Sequence, residues 1–207
     1  MGNRCNHYII IGFPGVGKTT MCKENLDCID LESSAFIVEG KRHENWYKEY
    51  VNTAIYLSKN HHVFVSSHDV VQDYLEEKRF SSMPTMIIVY PDKSLKDEWL
   101  KRLENRYKTE DLLDRLNRQY INNSDKNKRA LEYVEKNWDS CIEAIEKRQY
   151  FYKLKINSID QANNLESILE KSMLYIDKRQ SMYEEFDKIF DNGNTIKVDN
   201  ICKSLNF

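Results

Sequence analysis

The residues best suited to chemistry stand in one run near the start of the chain, where residues 12–20 read G-F-P-G-V-G-K-T-T. This run fits the pattern GxxxxGK[ST], in which glycines let backbone N–H groups approach phosphate oxygens. The lysine of such a loop reaches the β- and γ-phosphates of a nucleotide, and the hydroxyl that follows can ligate Mg²⁺. The residues expected to contact a nucleoside triphosphate are Gly12, Pro14, Gly15, Val16, Gly17, Lys18, Thr19 and Thr20.

The loop also has the flanking elements that the pattern requires. Residues 7–11 are suited to a strand, and residues 19–25 can open a helix whose N-terminus favours negative charge. Glycine is otherwise rare, with 6 in the whole chain, which argues against a chance match in a glycine-rich turn. The sequence therefore predicts a phosphate-binding loop between a strand and a helix.

Short apolar runs and helical patterns alternate along the chain. The apolar runs are residues 8–11, 28–31, 63–65, 86–90 and 150–156, and helical patterns occupy 44–59, 69–79 and 94–107. Most of the runs lack strict alternation, which is typical of strands covered on both faces. This order predicts an α/β fold with a parallel sheet and right-handed crossovers. Further helices are expected at 161–176 and 180–190.

A charged helical stretch at residues 109–149 is inserted between the fourth and fifth apolar runs. Just before it, Arg102 and Arg106 lie four residues apart and share one helix face, and Arg115 and Arg118 follow three apart. Arginines that close over a phosphoryl group stabilise its charge and exclude water. This arrangement favours a helical lid at about residues 102–130, with a salt-bridged surface helix as the alternative.

Polar side chains follow the second apolar run, where a parallel sheet binds its ligands. Asp30 and Glu32 share one face of this strand, and Ser33 and Ser34 come next. A carboxylate in a buried strand is costly without a partner, so Asp30 is a candidate for binding a ligand hydroxyl or base. The two serines are candidates for the same site or for capping a helix.

The third apolar run ends in Ser66-Ser67-His68-Asp69, where many NTPases place an aspartate that holds Mg²⁺ through water. Serines at this position weaken the prediction of a motor or a switch. His68 is a candidate ligand or a plain polar loop residue. Arg42, in the basic cluster at 40–43, can hold a phosphate by a bidentate fork or lie in solvent.

The composition narrows the class of protein. The chain has 207 residues, enough for one domain with a lid, and 31 Lys+Arg against 33 Asp+Glu give a formal charge of −2. This balance counts against a nucleic-acid polymer as the partner. Five scattered cysteines indicate reduced thiols, and neither a signal peptide nor an apolar membrane span is evident. We therefore expect a cytoplasmic protein.

Several segments together resemble the bacteriophage P-loop kinases described as deoxynucleoside monophosphate kinases. They are the phosphate loop, D-L-E-S-S at 30–34, V-F-V-S-S-H at 63–68, I-V-Y-P-D-K-S-L-K-D-E-W-L-K-R-L-E-N-R at 88–106 and N-W-D-S at 137–140. The resemblance covers residues 7 to about 176. R-L-E-N-R with a later D-R-L is distantly similar to the lid of guanylate kinases, and S-S-H-D-V-V-Q-D-Y-L to gluconate and shikimate kinases.

The resemblance implies a P-loop NTPase-type three-layer sandwich, a five-stranded parallel sheet with strand order 2-3-1-4-5 and a helical lid. The helical pattern at 180–190 adds an extra C-terminal helix that has no counterpart in the family. It implies ATP and Mg²⁺ as cofactors, Lys18 and Thr19 at the phosphates and metal, and a base flanked by residues 157–160. It places Arg102, Arg106 and Arg115 in the lid as catalytic residues. Gln72 stands where relatives often carry an arginine for the acceptor phosphate; adenylate kinases use a glutamine in this helix for the acceptor base.

The expected function is ATP-dependent phosphorylation of a nucleoside or deoxynucleoside monophosphate, in the host cytoplasm if the chain is phage-encoded. The expected acceptor-binding residues are Asp30, Glu32, Ser33, Arg42, His68 and Gln72. A kinase of a sugar or of a modified base in DNA, and a non-catalytic nucleotide-binding module, are the alternatives. The kinase domain is expected at residues 1–178, followed by an extension at 179–207 whose role, like the oligomeric state, the sequence leaves open.

Overall fold

A parallel sheet of five strands forms the centre of the computed structural model, which describes residues 7–37, 42–79, 83–117 and 123–191. The strands are β1 (Tyr8–Gly12), β2 (Cys28–Asp30), β3 (His62–Ser66), β4 (Thr85–Pro91) and β5 (Tyr152–Ile156). They are ordered β2-β3-β1-β4-β5, and every neighbouring pair is parallel. The predicted three-layer α/β fold and its strand order are confirmed.

Helices connect and cover the strands, as right-handed crossovers require. They are α1 (Lys18–Glu24), α2 (Trp46–Leu57), α3 (Asp69–Glu77), α4 (Lys96–Asn117), α5 (Asn123–Lys147), α6 (Ile159–Asn163) and α7 (Leu165–Asp191), with short 3₁₀ turns at Ser33–Phe36 and Lys93–Leu95. Trp99 and Trp138 are the largest fully buried side chains. They anchor α4 and α5, the two helices that continue into the predicted lid.

The register of the sheet brings the functional strand ends to one edge. Every residue of β1 is buried, and Gly12, its last residue, pairs with Ser66 of β3 and Val89 of β4. Asp30, the last residue of β2, pairs with Phe64 two residues earlier in β3. The phosphate loop and the two polar strand ends therefore leave the sheet side by side.

The C-terminal part differs from the expected pair of helices at 161–176 and 180–190. After the short α6, a single helix runs from Leu165 to Asp191. No Gly or Pro interrupts residues 165–191, so nothing in the sequence stops the helix at the expected break. The chain divides into two compact units, residues 1–168 and 169–207, and the candidate site residues all belong to the first.

Candidate functional site

The phosphate loop has a backbone that glycine alone adopts easily. Gly15 and Gly17 have φ angles of 86° and 104°, in the left-handed region that side chains with a Cβ avoid. A Cβ on Gly12 would lie 2.6 Å from Cδ of Lys18, whose Nζ donates to the Gly12 carbonyl at 3.3 Å. The Lys18 side chain thus lies along its own loop. The amides of Thr19 and Thr20 belong to the first turn of α1, where N–H groups have no partner within the helix.

Side chains of α4 brace this loop from outside. Trp99 Nε1 donates to the Pro14 carbonyl at 2.8 Å, and Arg102 Nε donates to the Gly15 carbonyl at the same distance. A Cβ on Gly15 would lie 2.9 Å from a methyl group of Leu103. The loop is consequently held by bonds from α4 to two of its carbonyl oxygens.

Arg102 also links the loop to the segment after β5. Its Nη1 donates to Oδ1 of Asn163, at the end of α6, and the Ala162 carbonyl lies 3.6 Å from the Cβ position of Gly17. Ser158 caps α6 by accepting from the Gln161 amide. The expected base-flanking residues 157–160 therefore belong to an ordered turn beside the phosphate loop.

Thr19 and Asp30 form a short polar contact beside the loop. Thr19 Oγ1 donates to Asp30 Oδ2 at 2.6 Å, while Asp30 Oδ1 is buried and has no hydrogen-bond partner in the described part of the chain. Hydroxyl and carboxylate oxygens are the hard ligands that Mg²⁺ prefers, usually with water and substrate phosphates completing its shell. Within the described residues no cluster of three His, Cys, Asp or Glu side chains is arranged to hold a metal. The pair fits a magnesium ion that arrives with a nucleotide.

A cavity of about 670 Å³ opens beside this pair. Three groups of residues line it, and we name them the loop side (residues 12–19), the strand-end side (30–34, 42 and 66–72) and the helical side (103–106 and 129–145). Its volume lies in the range of sites that enclose a small molecule. Of the predicted site residues, the lining includes Gly12, Pro14, Gly15, Gly17, Lys18, Thr19, Asp30, Glu32, Ser33, Arg42, His68, Gln72 and Arg106.

Arg42 is directed into the cavity by two contacts on the strand-end side. Its Nη2 donates to Ser33 Oγ at 2.9 Å, and its guanidinium lies 4.2 Å from the ring centroid of Trp46. Ser33 lies within a 3₁₀ turn whose N-cap is Glu32, so its hydroxyl binds Arg42 and not a helix end. Burial lowers the pKa of Arg42, but a guanidinium remains charged at neutral pH. The result is a cation held in place on the cavity wall.

His68 and Gln72 complete the strand-end side with uncharged groups. Burial, followed by repulsion from Arg42, lowers the pKa of His68 to about 4, although part of the ring stays open to the cavity. Gln72 is 1% exposed, and its Nε2 donates to the Ser67 carbonyl at 2.9 Å. Gln72 Oε1 is buried without a hydrogen-bond partner among the described residues, so only an acceptor atom remains for further bonding.

Sequence reasoning missed the contribution of α5, which supplies most of the helical side. Its lining residues are Arg129, Ala130, Tyr133, Val134, Cys141 and Ile145. The small and apolar residues of this set recur at helical spacing, and they are Ala130, Val134, Cys141 and Ile145. The spacing is visible in the sequence, but it does not indicate which part of the protein these residues face. Arg129 therefore joins Arg106 as a second arginine on this side.

The N-W-D-S segment marks a break within α5. Asn137 has non-helical angles (φ −117°, ψ 18°), and its side chain donates to the Tyr133 carbonyl at 2.8 Å. On the far side of the break, Trp138 Nε1 donates to the Lys93 carbonyl and Arg148 bonds to Asp73 and Glu76. The half of α5 after Asn137 is thus fastened to the sheet domain, whereas the half before it carries Arg129 and Tyr133.

Three of the expected site residues do not line the cavity, and the side chain of a fourth is not described by the structure. Val16 is buried in the core, Thr20 is exposed on α1, and Arg102 contacts the outer face of the loop. Arg115 lies in α4, but its side chain, like the whole of Arg118, falls outside the part of the chain that the structure describes.

No protein-family model matches the chain, and no curated protein matches it in sequence. Across residues 7–37, 42–79, 83–117 and 123–191, none of the helices combines the length and apolar character that a membrane crossing needs.

Proposed function

We propose that this protein transfers the γ-phosphoryl group of ATP to a nucleoside or deoxynucleoside monophosphate. One observation carries the proposal: the phosphate loop and the anchored guanidinium of Arg42 line the same cavity. A loop of this sequence suits a polyphosphate, and a second fixed cation suits a second phosphate. Two anions held in one enclosed site are what transfer between phosphates requires.

Each polar group of the site then has a task. The loop amides and Lys18 hold the β- and γ-phosphates, and Thr19 with Asp30 would hold Mg²⁺, which offsets charge on the phosphates. Arg42 holds the acceptor phosphate, one oxygen of which attacks the γ-phosphorus. The bond from the γ-phosphorus to the β–γ bridging oxygen breaks, and ADP leaves. Arg106 and Arg129 stabilise the charge on the moving group.

A hydroxyl acceptor such as a sugar is the second candidate, because Asp30 and Glu32 line the same cavity. In that case one of these two carboxylates would accept the proton of the hydroxyl. The charged Arg42 on the same wall favours a phosphate over a neutral sugar. A polymeric DNA acceptor is disfavoured by the overall charge of −2.

The test is a panel of nucleoside and deoxynucleoside monophosphates, with sugars and DNA as separate arms, in the presence of ATP and Mg²⁺. ADP release with formation of a diphosphate is expected for at least one monophosphate, and no release with the Lys18→Ala variant. Activity with a sugar or with DNA alone would replace the proposed acceptor. Tight ATP binding without transfer to any acceptor would indicate a non-catalytic nucleotide-binding module.

A further inference from the structure

Tyr50 interrupts the hydrogen-bond ladder between β2 and β3 at the point where the cavity opens. In a parallel ladder, one residue donates to a carbonyl of the neighbouring strand and accepts from an amide two residues further along it. Leu31 N donates to the Phe64 carbonyl at 3.0 Å, so the next bond would join the Ser66 amide to the Leu31 carbonyl. Instead, the Ser66 amide donates to Tyr50 Oη at 2.8 Å, and Tyr50 Oη donates to the Leu31 carbonyl at 2.7 Å.

A hydroxyl inserted in this way keeps the two strand ends apart while satisfying both backbone groups. Leu31 and Ser66 line the cavity on either side of the insertion. Tyr50 itself is fully buried, and burial raises the pKa of its hydroxyl to about 12, so it stays protonated and able to donate at neutral pH. Up to Leu31 the two strands are held by ordinary ladder bonds, and the separation between the Leu31 carbonyl and the Ser66 amide is set by the inserted side chain.

The ring of Tyr50 is also connected to the cation of the strand-end side. It packs against Trp46 with ring centroids 5.7 Å apart, and Trp46 carries the Arg42 guanidinium 4.2 Å from its own centroid. Trp46 also forms a T-shaped pair with His68, with ring centroids 5.6 Å apart. The position of Tyr50 thus affects the backbone of Leu31 and Ser66. Through Trp46 it also affects the side chains of Arg42 and His68.

We infer that Tyr50 is a positioning residue that sets the width of the strand-end side and thereby the binding of the acceptor, but not of ATP. The inference rests on the proposed function for its kinetic consequence only. Without the hydroxyl, the Ser66 amide and the Leu31 carbonyl can close into an ordinary ladder bond, which narrows the cavity between them. The hydrogen bonds of Tyr50 join Leu31 and Ser66 and do not include the loop side. Loss of the hydroxyl should therefore leave the binding of ATP unaffected.

The experiment compares Tyr50→Phe with Tyr47→Phe, which removes a hydroxyl from the same helix and leaves the ladder intact. For the monophosphate with the highest turnover, Tyr50→Phe is expected to raise the acceptor KM at least about fivefold. The Kd for ATP, measured by calorimetry, should stay within about twofold, and Tyr47→Phe should change neither constant. An equal increase in the acceptor KM and in the Kd for ATP of Tyr50→Phe, or no increase in either, would overturn the inference.

A crystal structure of Tyr50→Phe gives a readout that does not depend on turnover. A Ser66 N to Leu31 O distance within hydrogen-bond range is expected, and strand ends that stay apart would contradict the inference even in an inactive enzyme. If the wild-type protein phosphorylates no monophosphate, the proposed function fails while this distance still decides the role of Tyr50.

Hydrogen exchange of the wild-type protein covers the case in which the variant does not fold. The monophosphate alone, tested with AMP, GMP, CMP and dTMP, should slow amide exchange in residues 64–68, whereas ADP alone should not. Unchanged exchange with all four would count against a coupling between these strand ends and the acceptor.

Discussion

The loop side and the strand-end side of the cavity are built in different ways. The loop side comes from seven residues of one continuous run, 12–19, in which the carbonyls of Pro14 and Gly15 are held by Trp99 and Arg102. The strand-end side comes from three separate segments, joined by side-chain bonds such as Arg42 to Ser33 and by the inserted hydroxyl of Tyr50. Under the proposed function, recognition of a polyphosphate would thus be local in sequence, whereas recognition of an acceptor would depend on tertiary contacts.

This difference predicts how substitutions on the two sides should behave. Changes on the loop side should abolish transfer whatever the acceptor, because every reaction uses the same phosphates. Changes on the strand-end side should alter which acceptor binds and how tightly, with little effect on ATP. The helical side, with Arg106 and Arg129, should act on the rate.

The largest effect is expected for Lys18→Ala. Lys18 lies along the loop with its Nζ 3.3 Å from the Gly12 carbonyl, ready to exchange this bond for a phosphate oxygen. Its loss should abolish measurable transfer and weaken ATP binding, with the fold unchanged by circular dichroism. Lys23→Ala, which removes an exposed lysine from the same helix, is the control and should retain full activity. Wild-type turnover in Lys18→Ala would show that the loop does not hold the reacting phosphate.

Arg106→Ala should lower kcat by roughly 100-fold, since removing one donor to a charged transition state costs about 3 kcal/mol. The KM values for both nucleotides should change far less, because the charge on the moving group grows as transfer proceeds. Lys108→Ala removes a cation that is paired with Glu104 on the same helix, and it should have no effect. If Arg106→Ala raised KM alone, Arg106 would be a binding residue and not a catalytic one.

The sequence predicted the fold because its signals are local. Each strand is an apolar run, and the phosphate loop is a contiguous pattern between two elements. The continuous α7 was not predicted, because a charged stretch at 177–179 gives the same signal in a helix as in a linker. The absence of Gly and Pro from residues 165–191 was the better signal, since it leaves the helix nothing to end on.

The site was predictable only in part, for the same reason. Arg102 and Arg106 have equivalent positions in the helical pattern, yet Arg102 holds the Gly15 carbonyl and Arg106 lines the cavity. Neither Arg129 nor Tyr50 belongs to a sequence motif. Arg129 reaches the cavity because of the way α5 packs. The role of Tyr50 depends on a ladder bond that is missing between β2 and β3. Such roles arise from distances between segments and leave no pattern in a single sequence.

On the strand-end side, Arg42→Ala should raise the acceptor KM by about 10- to 100-fold, because a hydrogen bond to a charged group contributes about 1.5–3 kcal/mol. The Kd for ATP should stay the same. Arg42→Lys should recover only part of the loss, since an ammonium group cannot form a bidentate fork. Arg79→Ala is a matched control, as Arg79 also stacks on a ring, that of Tyr150 at 4.0 Å, outside the cavity. An equal loss of ATP affinity would assign Arg42 to the nucleotide and not to the acceptor.

The smallest effect concerns His68, and its sign follows from the direction of its pKa. Burial and Arg42 hold the pKa of His68 at about 4 in the folded protein, against about 6.5 in an unfolded chain. As the pH falls from about 6.5 towards 4, the unfolded chain takes up a proton before the folded one, so this residue makes unfolding easier in that window. Above pH 6.5 both states are neutral and the effect is absent. Because part of the ring is open to the cavity, the loss of stability should be modest.

Urea unfolding at pH 7 and pH 4.5 measures this effect. The wild-type protein should lose more stability between the two pH values than His68→Gln, which has no group to titrate. A histidine titration followed by NMR should move to higher pH in Arg42→Ala, yet stay below 6.5, because burial is the larger cause of the shift and remains. A wild-type pKa near 6.5 would mean that water fills this part of the cavity, and that His68 can bind an acceptor phosphate as a cation. The strand-end side would then hold two positive groups below about pH 6.5, and there Arg42→Ala would cost correspondingly less.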